Sequence, residues 1–440
     1  MLPNIDPAPV PINRLTLPRS WHRQILERHL DPDSPFLAVG RLGESRNPEG
    51  GREWLVRAID QDLSSLANPT GEGGPLVVFT REDGKRRVPW VESMLDPLPA
   101  SVKVELVHGI GEFEGRIWGF QRDGKHIVPL DELSLPGSAM LRLPLRPGSE
   151  LRKENGSTAF ETESLSRTTG AYGSGGTEML RRLQSHFFVI LGCSRTGLLV
   201  AEWAARLRIP LILLDTKPVK LSHLGEISIA LGEEDVGKTK VEAFARRLGE
   251  WSIARAPIQP IVARADSAEG ILAAKKSSLL VEACDSETGR VSASIYGNAL
   301  HRPVLSLATG VSFDGDGART LGADIRLIVP GDSRCLLCLG GMLDHRRTLR
   351  EMWTQSRVET DDDAWREERA GSLRSLSQVA AGLGIRLIED LFNGRIDQSR
   401  WLRCLWDETG RLEVREPSPG PGGCELCGDS GKGDLAYPTV

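Results

Sequence analysis

Residues 185–215 read SHFFVILGCSRTGLLVAEWAARLRIPLILLD, and this stretch decides the fold. Phe187 to Leu191 are apolar without alternation, the pattern of a strand buried on both faces of a parallel sheet. Gly192-Cys193-Ser194-Arg195-Thr196-Gly197 then turns the chain. Leu198, Val200, Ala201, Ala204 and Ala205 recur as the packing face of a helix. A helix that starts at such a turn aims free backbone amides back at it, which favours an anionic phosphate there. The second apolar run closes on Asp215. An acid about 20 residues past a glycine turn is placed to accept hydrogen bonds from a ribose. Ser194 stands where a third glycine is usual, so the turn alone suits either a nucleotide site or a plain strand-to-helix connection.

Downstream the alternation continues, with helices over 240–248, 267–274 and 287–300 and strands over 258–262, 278–283 and 303–307. Ligands of open α/β sheets bind outside the carboxyl ends of the strands, which brings the glycine turn, Asp215 and Asp285 onto one rim. Asp285, directly after a buried run, reads either as a magnesium- or phosphate-side carboxylate or as the N-cap of the next helix. Residues 344–368 are heavily charged and suit a crossover segment or an exposed helix. Leu376, Val379, Ala380, Leu383, Leu387 and Leu391 form the stripe of a sheet-covering helix over 372–393, and a hairpin over 400–407 and 410–414 follows.

Residues 1–150 carry no nucleotide or metal motif. A proline-rich arm leads to an amphipathic helix over 21–30, then to strand-like runs at 35–40, 53–59, 75–80, 102–107, 115–120 and 139–145. This is an α+β module whose pattern distantly resembles the JAB/Mov34 fold. A working protease of that kind needs an H-x-H-P pair and a downstream acid to hold zinc. No such pair occurs, and His22, His29, His108 and His126 stand apart in the sequence. The expectation is an inactive docking module with surface histidines. Residues 151–165 read as a polar linker, 166–428 as the second domain and 429–440 as a disordered tail.

A net charge of -5 with both signs scattered gives no reason to expect nucleic acid or an anionic membrane as the main partner. The start, MLPNIDPAPVPINRL, has neither a basic region nor an apolar core, and no run of 18 apolar residues follows, so the cytoplasm is the expected location. Seven cysteines in such a chain read as thiols or metal ligands. Cys335-Leu-Leu-Cys338 and Cys424-Glu-Leu-Cys427 are two C-x-x-C pairs, 86 residues apart, that together complete a closed tetrahedral S4 zinc site. A redox function needs only one such pair. Cys193, Cys284 and Cys404 sit in apolar surroundings, as buried inert thiols do.

In their order, the glycine turn, Asp215, Leu221-Ser222-His223-Leu224, Val236-Gly237-Lys238-Thr239-Lys240, Asp285 and the cysteine pairs resemble the ThiF/HesA/MoeB family. These are ATP-dependent adenylyltransferases related to ubiquitin-activating enzymes. The resemblance spans residues 165–427 and implies an α/β, Rossmann-like ThiF adenylation fold with a mostly parallel sheet and a structural zinc. It implies ATP, Mg2+ and Zn2+ as cofactors, and as substrate the C-terminal glycine of a ubiquitin-like or sulfur-carrier protein. A conjugating enzyme or sulfur donor would take the product. Gly192, Ser194, Arg195 and Gly197 would line the phosphates and adenosine, and Asp215 would hold the ribose. Lys240 would stabilise the departing pyrophosphate, and Asp285 would bind Mg2+ and position the carboxylate. Arg167, in Ser166-Arg167 six residues before Gly173, would be an arginine finger reaching into a partner subunit, which implies a homodimer.

The chain departs from the family's L-S-N-L-x-R-Q loop, with His223 in place of the asparagine and Glu226 in place of a phosphate-binding arginine. An anion beside a triphosphate weakens binding unless another cation compensates, and Arg195, Lys217 and Lys220 are the candidates. No cysteine lies between Cys338 and Cys404, so adenylation without a thioester at the usual position is expected. Two other readings compete. A pseudoenzyme scaffold would dock a carrier without turnover, while an NAD-dependent dehydrogenase fits the glycine turn but neither the cysteine pairs nor Lys240 and Asp285.

Overall fold

Two sheets divide the chain in the computed structural model, which describes residues 12–27, 36–48, 50–60, 75–82, 100–109, 116–124, 126–145, 163–224, 231–251, 257–313, 319–342, 373–418 and 422–436. The first sheet contains β1 (Arg14–Thr16), β2 (Phe36–Arg46), β3 (Arg52–Asp60), β4 (Leu76–Glu82), β5 (Val102–Gly109), β6 (Ile117–Asp123), β7 (His126–Pro129), β8 (Glu132–Leu135) and β9 (Leu141–Pro144). Its order is β7-β6-β5-β4-β2-β3-β1-β8-β9. Leu15, Trp54, Val56, Phe79, Leu106 and Leu133 bury one face, with Ile25 of helix α1 (Arg19–Leu26) packed among them. Among the described residues α1 is the only helix of this half, so the sheet dominates the expected α+β module. The strands β1, β7 and β8, of three or four residues, are too short to show a hydrophobic period, and the sequence reading missed them. The strand expected over 139–145 begins only at Leu141, because Ala139 and Met140 adopt φ of 67° and 40°.

His22 and His108 correct the expectation of surface histidines. Both are buried, and their Nε2 atoms lie 2.9 Å apart, bridging α1 and β5. Burial, and then the neighbouring His108, pushes His22 down to about 3, and burial holds His108 at about 4. The pair is therefore neutral, with one ring N–H donating to the other's lone pair.

The second sheet forms around β10 (Phe188–Leu191), whose four side chains are all buried. It pairs in parallel with β11 (Leu211–Leu214) on one side and β13 (Leu279–Glu282) on the other. β12 (Ile258–Ile261) and β14 (Val304–Phe313) extend the parallel run outward. Antiparallel β15 (Arg319–Ile328), β16 (Arg400–Trp406) and β17 (Leu412–Arg415) complete the order β12-β11-β10-β13-β14-β15-β16-β17. The expected mostly parallel sheet is thus mixed, parallel only as far as β14. β14 runs past the expected end at 307 because all ten of its residues pair with β15, a strand the sequence reading did not foresee.

Unalternating apolar strands require cover on both faces, and both are covered. On one side Phe188, Ile190, Leu211 and Leu213 meet α4 (Arg195–Arg206), α6 (Lys240–Trp251) and α9 (Arg374–Phe392). On the other, Val189, Leu191, Ile212 and Leu280 meet α7 (Ala268–Lys276) and α8 (Glu287–Ala299). Ahead of β10 lie α2 (Ser166–Ala171) and α3 (Gly176–Gln184), and α5 (Leu221–Leu224) follows β11. No helix among the described residues is long and apolar enough to cross a membrane.

A buried ion pair joins the two halves. Arg302 Nη2 donates to both Glu53 oxygens at 2.8 and 2.9 Å, and Thr16 Oγ1 donates to Glu53 Oε1 at 2.5 Å. Residues 429–436, placed by sequence in a disordered tail, form a strap across the same junction. Gly431 N donates to Asn298 O and Gly433 N to Ala299 O, while Asp434 accepts from Ser45 Oγ and pairs with Lys275 Nζ at 2.7 Å. Short polar sequence looked unstructured because its partners lie far away in the chain. Most of the expected linker, the charged segment 344–368 and Glu226 lie outside the described residues.

Candidate functional site

The order β12-β11-β10-β13-β14 reverses direction between β10 and β13, and a crevice opens at the carboxyl ends of strands at such a switch point. The glycine turn lies there. Gly192 has φ +89°, and a Cβ on it would lie 2.9 Å from Cys284 N, so both conformation and the crossing of the β13–α8 turn demand glycine. Ser194 caps α4, its Oγ accepting from Gly197 N at 3.4 Å and lying 3.0 Å from Thr196 Oγ1. The residue that spoiled the glycine motif has a structural task.

Asp215 bridges two loops. Its Oδ2 accepts from Cys193 N and its Oδ1 from Lys217 N, each at 2.8 Å. Every carboxylate oxygen offers a second lone pair, so the half-buried group retains capacity for another donor. Lys217 then turns its side chain across the rim to Asp285, with Nζ 2.7 Å from Oδ2. Burial alone would raise the Asp285 carboxyl, but Lys217's hydrogen bond and charge, followed by Lys240's charge, hold it below the ordinary range. Lys240 opens α6, 6% exposed, and its backbone N donates to Lys217 O at 3.0 Å. Lys217, Lys240, Asp215, Asp285 and the glycine turn are therefore brought together. The N-cap alternative for Asp285 falls to Ser286, whose Oγ accepts from Gly289 N.

Other expected residues take different positions. Arg195 is folded inward at 8% exposure. His223 lies in α5, its Nδ1 accepting from Lys220 N at 2.9 Å, so its ring proton sits on Nε2. Arg167 is exposed on α2. Glu282, missed by sequence because it reads as part of an apolar run, lies fully buried beneath the Asp285 turn. It accepts from Cys284 N at 2.8 Å and Ser306 Oγ at 2.6 Å, and burial raises its carboxyl.

The four paired cysteines form a second centre. Their Sγ separations are 3.8 Å for Cys335–Cys338, 3.4 Å for Cys335–Cys424, 3.7 Å for Cys338–Cys427 and 3.6 Å for Cys424–Cys427. A tetrahedron with Zn–S of about 2.3 Å has edges of about 3.8 Å, while a disulfide would need about 2.05 Å. The cluster can hold a metal ion, and it is the only group of three or more potential ligands among the described residues. Leu336, Leu339 and Leu426 are buried around it. Of the remaining thiols, Cys193 and Cys404 are buried and Cys284 Sγ donates to Leu191 O. Burial first, then neighbouring carboxylates, pushes all three up, which makes them poor nucleophiles.

The fold and site thus define an α/β protein with a charged rim at the switch point of a mixed sheet and a four-cysteine cluster that can hold a metal ion. No family model and no curated protein matches the chain. Among solved structures, E. coli MccB with MccA-N7isoASN aligns at TM-score 0.45 and 19% identity, over 62% of this chain and 76% of that one. E. coli MccB with ATP aligns at 0.43 and 20%, over 60% and 74%. PaaA aligns at 0.44 and 17%, over 62% and 77%.

Proposed function

We propose that this chain is an ATP-dependent adenylyltransferase acting on the C-terminal carboxylate of a peptide or small protein. The observation that carries the reading is the convergence of Lys217, Lys240 and Asp285 with the glycine turn at the switch point. Adenylation forms a bond from a carboxylate oxygen to the α-phosphorus of ATP. It breaks the bond from that phosphorus to the leaving pyrophosphate, which keeps the electron pair. Such a step needs alignment and charge neutralisation more than proton transfer.

In this reading the amides at the start of α4 hold phosphate oxygens, with Ser194, Arg195 and Gly197 lining the turn, and Asp215 accepts from the ribose. Lys240 neutralises charge as pyrophosphate departs. Asp285 would hold Mg2+, which supplies a clamp on phosphate oxygens; that ion is commonly held by one or two carboxylates plus waters and phosphates. At 63% exposure the Asp285 side chain is open to it once Lys217 releases Oδ2. Lys217, already on the rim, replaces Arg195 as the leading cation to offset Glu226. The proposed substrate is a ubiquitin-like or sulfur-carrier protein ending in glycine, with a conjugating enzyme or sulfur donor downstream. Arg167 reaches across a homodimer, the four cysteines hold structural zinc, and no thioester forms on buried Cys404.

The Lys217–Asp285 ion pair also supports a second reading, a scaffold that docks a carrier while its metal carboxylate stays blocked. Carrier-dependent pyrophosphate exchange with ATP, Mg2+ and small proteins ending in Gly-Gly separates the two. Adenylation predicts exchange that Lys240→Ala reduces at least about 100-fold. Carrier binding without exchange establishes the scaffold. Lys217→Ala raises the KM for ATP if Lys217 offsets charge, and accelerates exchange if it merely blocks metal.

A further inference from the structure

A cavity of ≈160 Å3 lies at the junction of the two halves, bounded by β3, the carboxyl end of α8 and the cysteine cluster. That volume equals about five liquid waters, enough for one tetrahedral oxyanion with part of its hydration. Arg57, Arg302 and Arg334 line it, with Ser333, Ser430 and Trp21, and no carboxylate is among its described lining residues. α8 begins beside Asp285 and ends at Ala299, and thirteen helical residues span roughly 20 Å, so the cavity lies at the opposite end of this helix from the charged rim.

The three arginines are not equally committed. Arg302 is held by Glu53 and by the carbonyls of Leu300 and Lys275. Among the described residues Arg334 makes a loose contact with Asp332, at 3.9 Å, on a side chain that is 32% exposed. The buried Nε atoms of Arg57 and Arg302 both lack a hydrogen-bond partner among the described residues, but only Arg302 has its Nη groups bound as well. A buried guanidinium donor left unsatisfied is costly, and a tetrahedral oxyanion accepts the paired N–H fork that a guanidinium presents. Two features oppose an anion here. The negative end of α8 points to the cavity, but its last carbonyls already accept from Gly431 N, Gly433 N and Arg302. Cys427, a metal-cluster thiol, is also part of the wall.

We propose that this cavity is a binding site for a phosphate-type oxyanion, gripped by Arg57 and Arg334 across the junction between the two halves. The anion ties the N-terminal sheet to the loop carrying Cys335. The site is independent of the proposed adenylation and stands or falls separately.

Calorimetric titration of the zinc-loaded full chain with inorganic phosphate, sulfate and glycerol phosphate, at matched ionic strength, tests it. Wild type binds phosphate, and Arg57→Gln and Arg334→Gln each weaken binding at least tenfold at unchanged zinc content. Arg57→Lys, which keeps the charge but loses the fork, falls between and guards against a misfolded Gln variant. Tighter binding of glycerol phosphate than of inorganic phosphate identifies a phosphomonoester as the ligand, and the reverse identifies the free ion. Binding equally strong in both Gln variants places any phosphate elsewhere and overturns the proposal. So does absence of binding together with faster zinc loss to a chelator in the variants, which would mean that the arginines only offset thiolate charge.

Discussion

Replacing Glu53 by glutamine removes the carboxylate that faces Arg302 and Arg14 at the junction of the two halves. Burial alone would raise the Glu53 carboxyl, yet the charges of Arg302 and Arg14 and the hydrogen bonds from Arg302 and Thr16 outweigh it and hold the group at about 2, against an ordinary value of 4.5. At about 1.4 kcal/mol per unit, this difference stabilises the fold at pH 7 by roughly 3 kcal/mol. An independent route agrees, since removing one partner of a buried pair costs about 3–5 kcal/mol by stranding the other. Arg302 and Glu53, with side chains 4% and 1% exposed, meet that condition. The sign follows from the depressed value. The contribution is complete above the unfolded pKa near 4.5 and disappears as pH falls through about 2. Urea unfolding followed by tryptophan fluorescence should show Glu53→Gln less stable than wild type by roughly 3 kcal/mol at pH 7, with the gap about 2 kcal/mol smaller at pH 3. A variant within about 0.5 kcal/mol of wild type at pH 7, the usual range for surface substitutions, would refute the reasoning, as would a gap that does not shrink in acid.

Metal analysis should give one zinc per chain, lost in Cys335→Ser/Cys424→Ser, with a lower thermal midpoint that added zinc no longer raises; an unchanged midpoint would mean the cluster carries no structural metal. Gly192→Ala must accommodate φ +89° and a Cβ 2.9 Å from Cys284 N, so denaturant unfolding should show a loss of about 1–3 kcal/mol. Because His22 and His108 are neutral when folded but titrate near 6.5 when unfolded, the protein loses stability as pH falls below 6.5. The variant His22→Leu/His108→Leu should lose about 2 kcal/mol less per histidine between pH 6.5 and 5, and an identical acid profile would show that the pair is not neutral and buried.

The parallel core was legible because burial on both faces writes itself locally, as four consecutive apolar residues in β10 and in β11. The cysteine cluster was legible because ligand spacing is fixed by the metal. The rim was legible only as single residues. That Lys217 turns onto Asp285, 68 positions away, depends on the parallel pairing of β10 with β11 and β13, which no local pattern encodes. The same holds for His22 with His108 and Arg302 with Glu53. Each is an unremarkable polar residue in sequence and acquires its meaning from a partner brought close by the sheets. β15 was overlooked because Gly322 and Asp324 interrupt its apolar run, although pairing on both sides stabilises it.

Helix α8 connects the charged rim to the junction, and it raises the question whether a change at one end is felt at the other. Coupling requires an element with two arrangements. Near its start, a Cβ on Gly289 would lie 2.4 Å from Cys284 Sγ, and near its end a Cβ on Gly297 would lie 2.4 Å from Val304 Cγ2. The helix is thus pressed onto its neighbours at both ends, and the strap bonds to Asn298 and Ala299 fix its carboxyl terminus. A helix so pinned has little room to slide. Glu53→Gln should therefore lower stability without altering the rim, leaving ATP affinity within about twofold of wild type at temperatures where the variant is fully folded. A tenfold change in that affinity, at unchanged circular dichroism, would show that α8 transmits the loss and that its packing permits a second position.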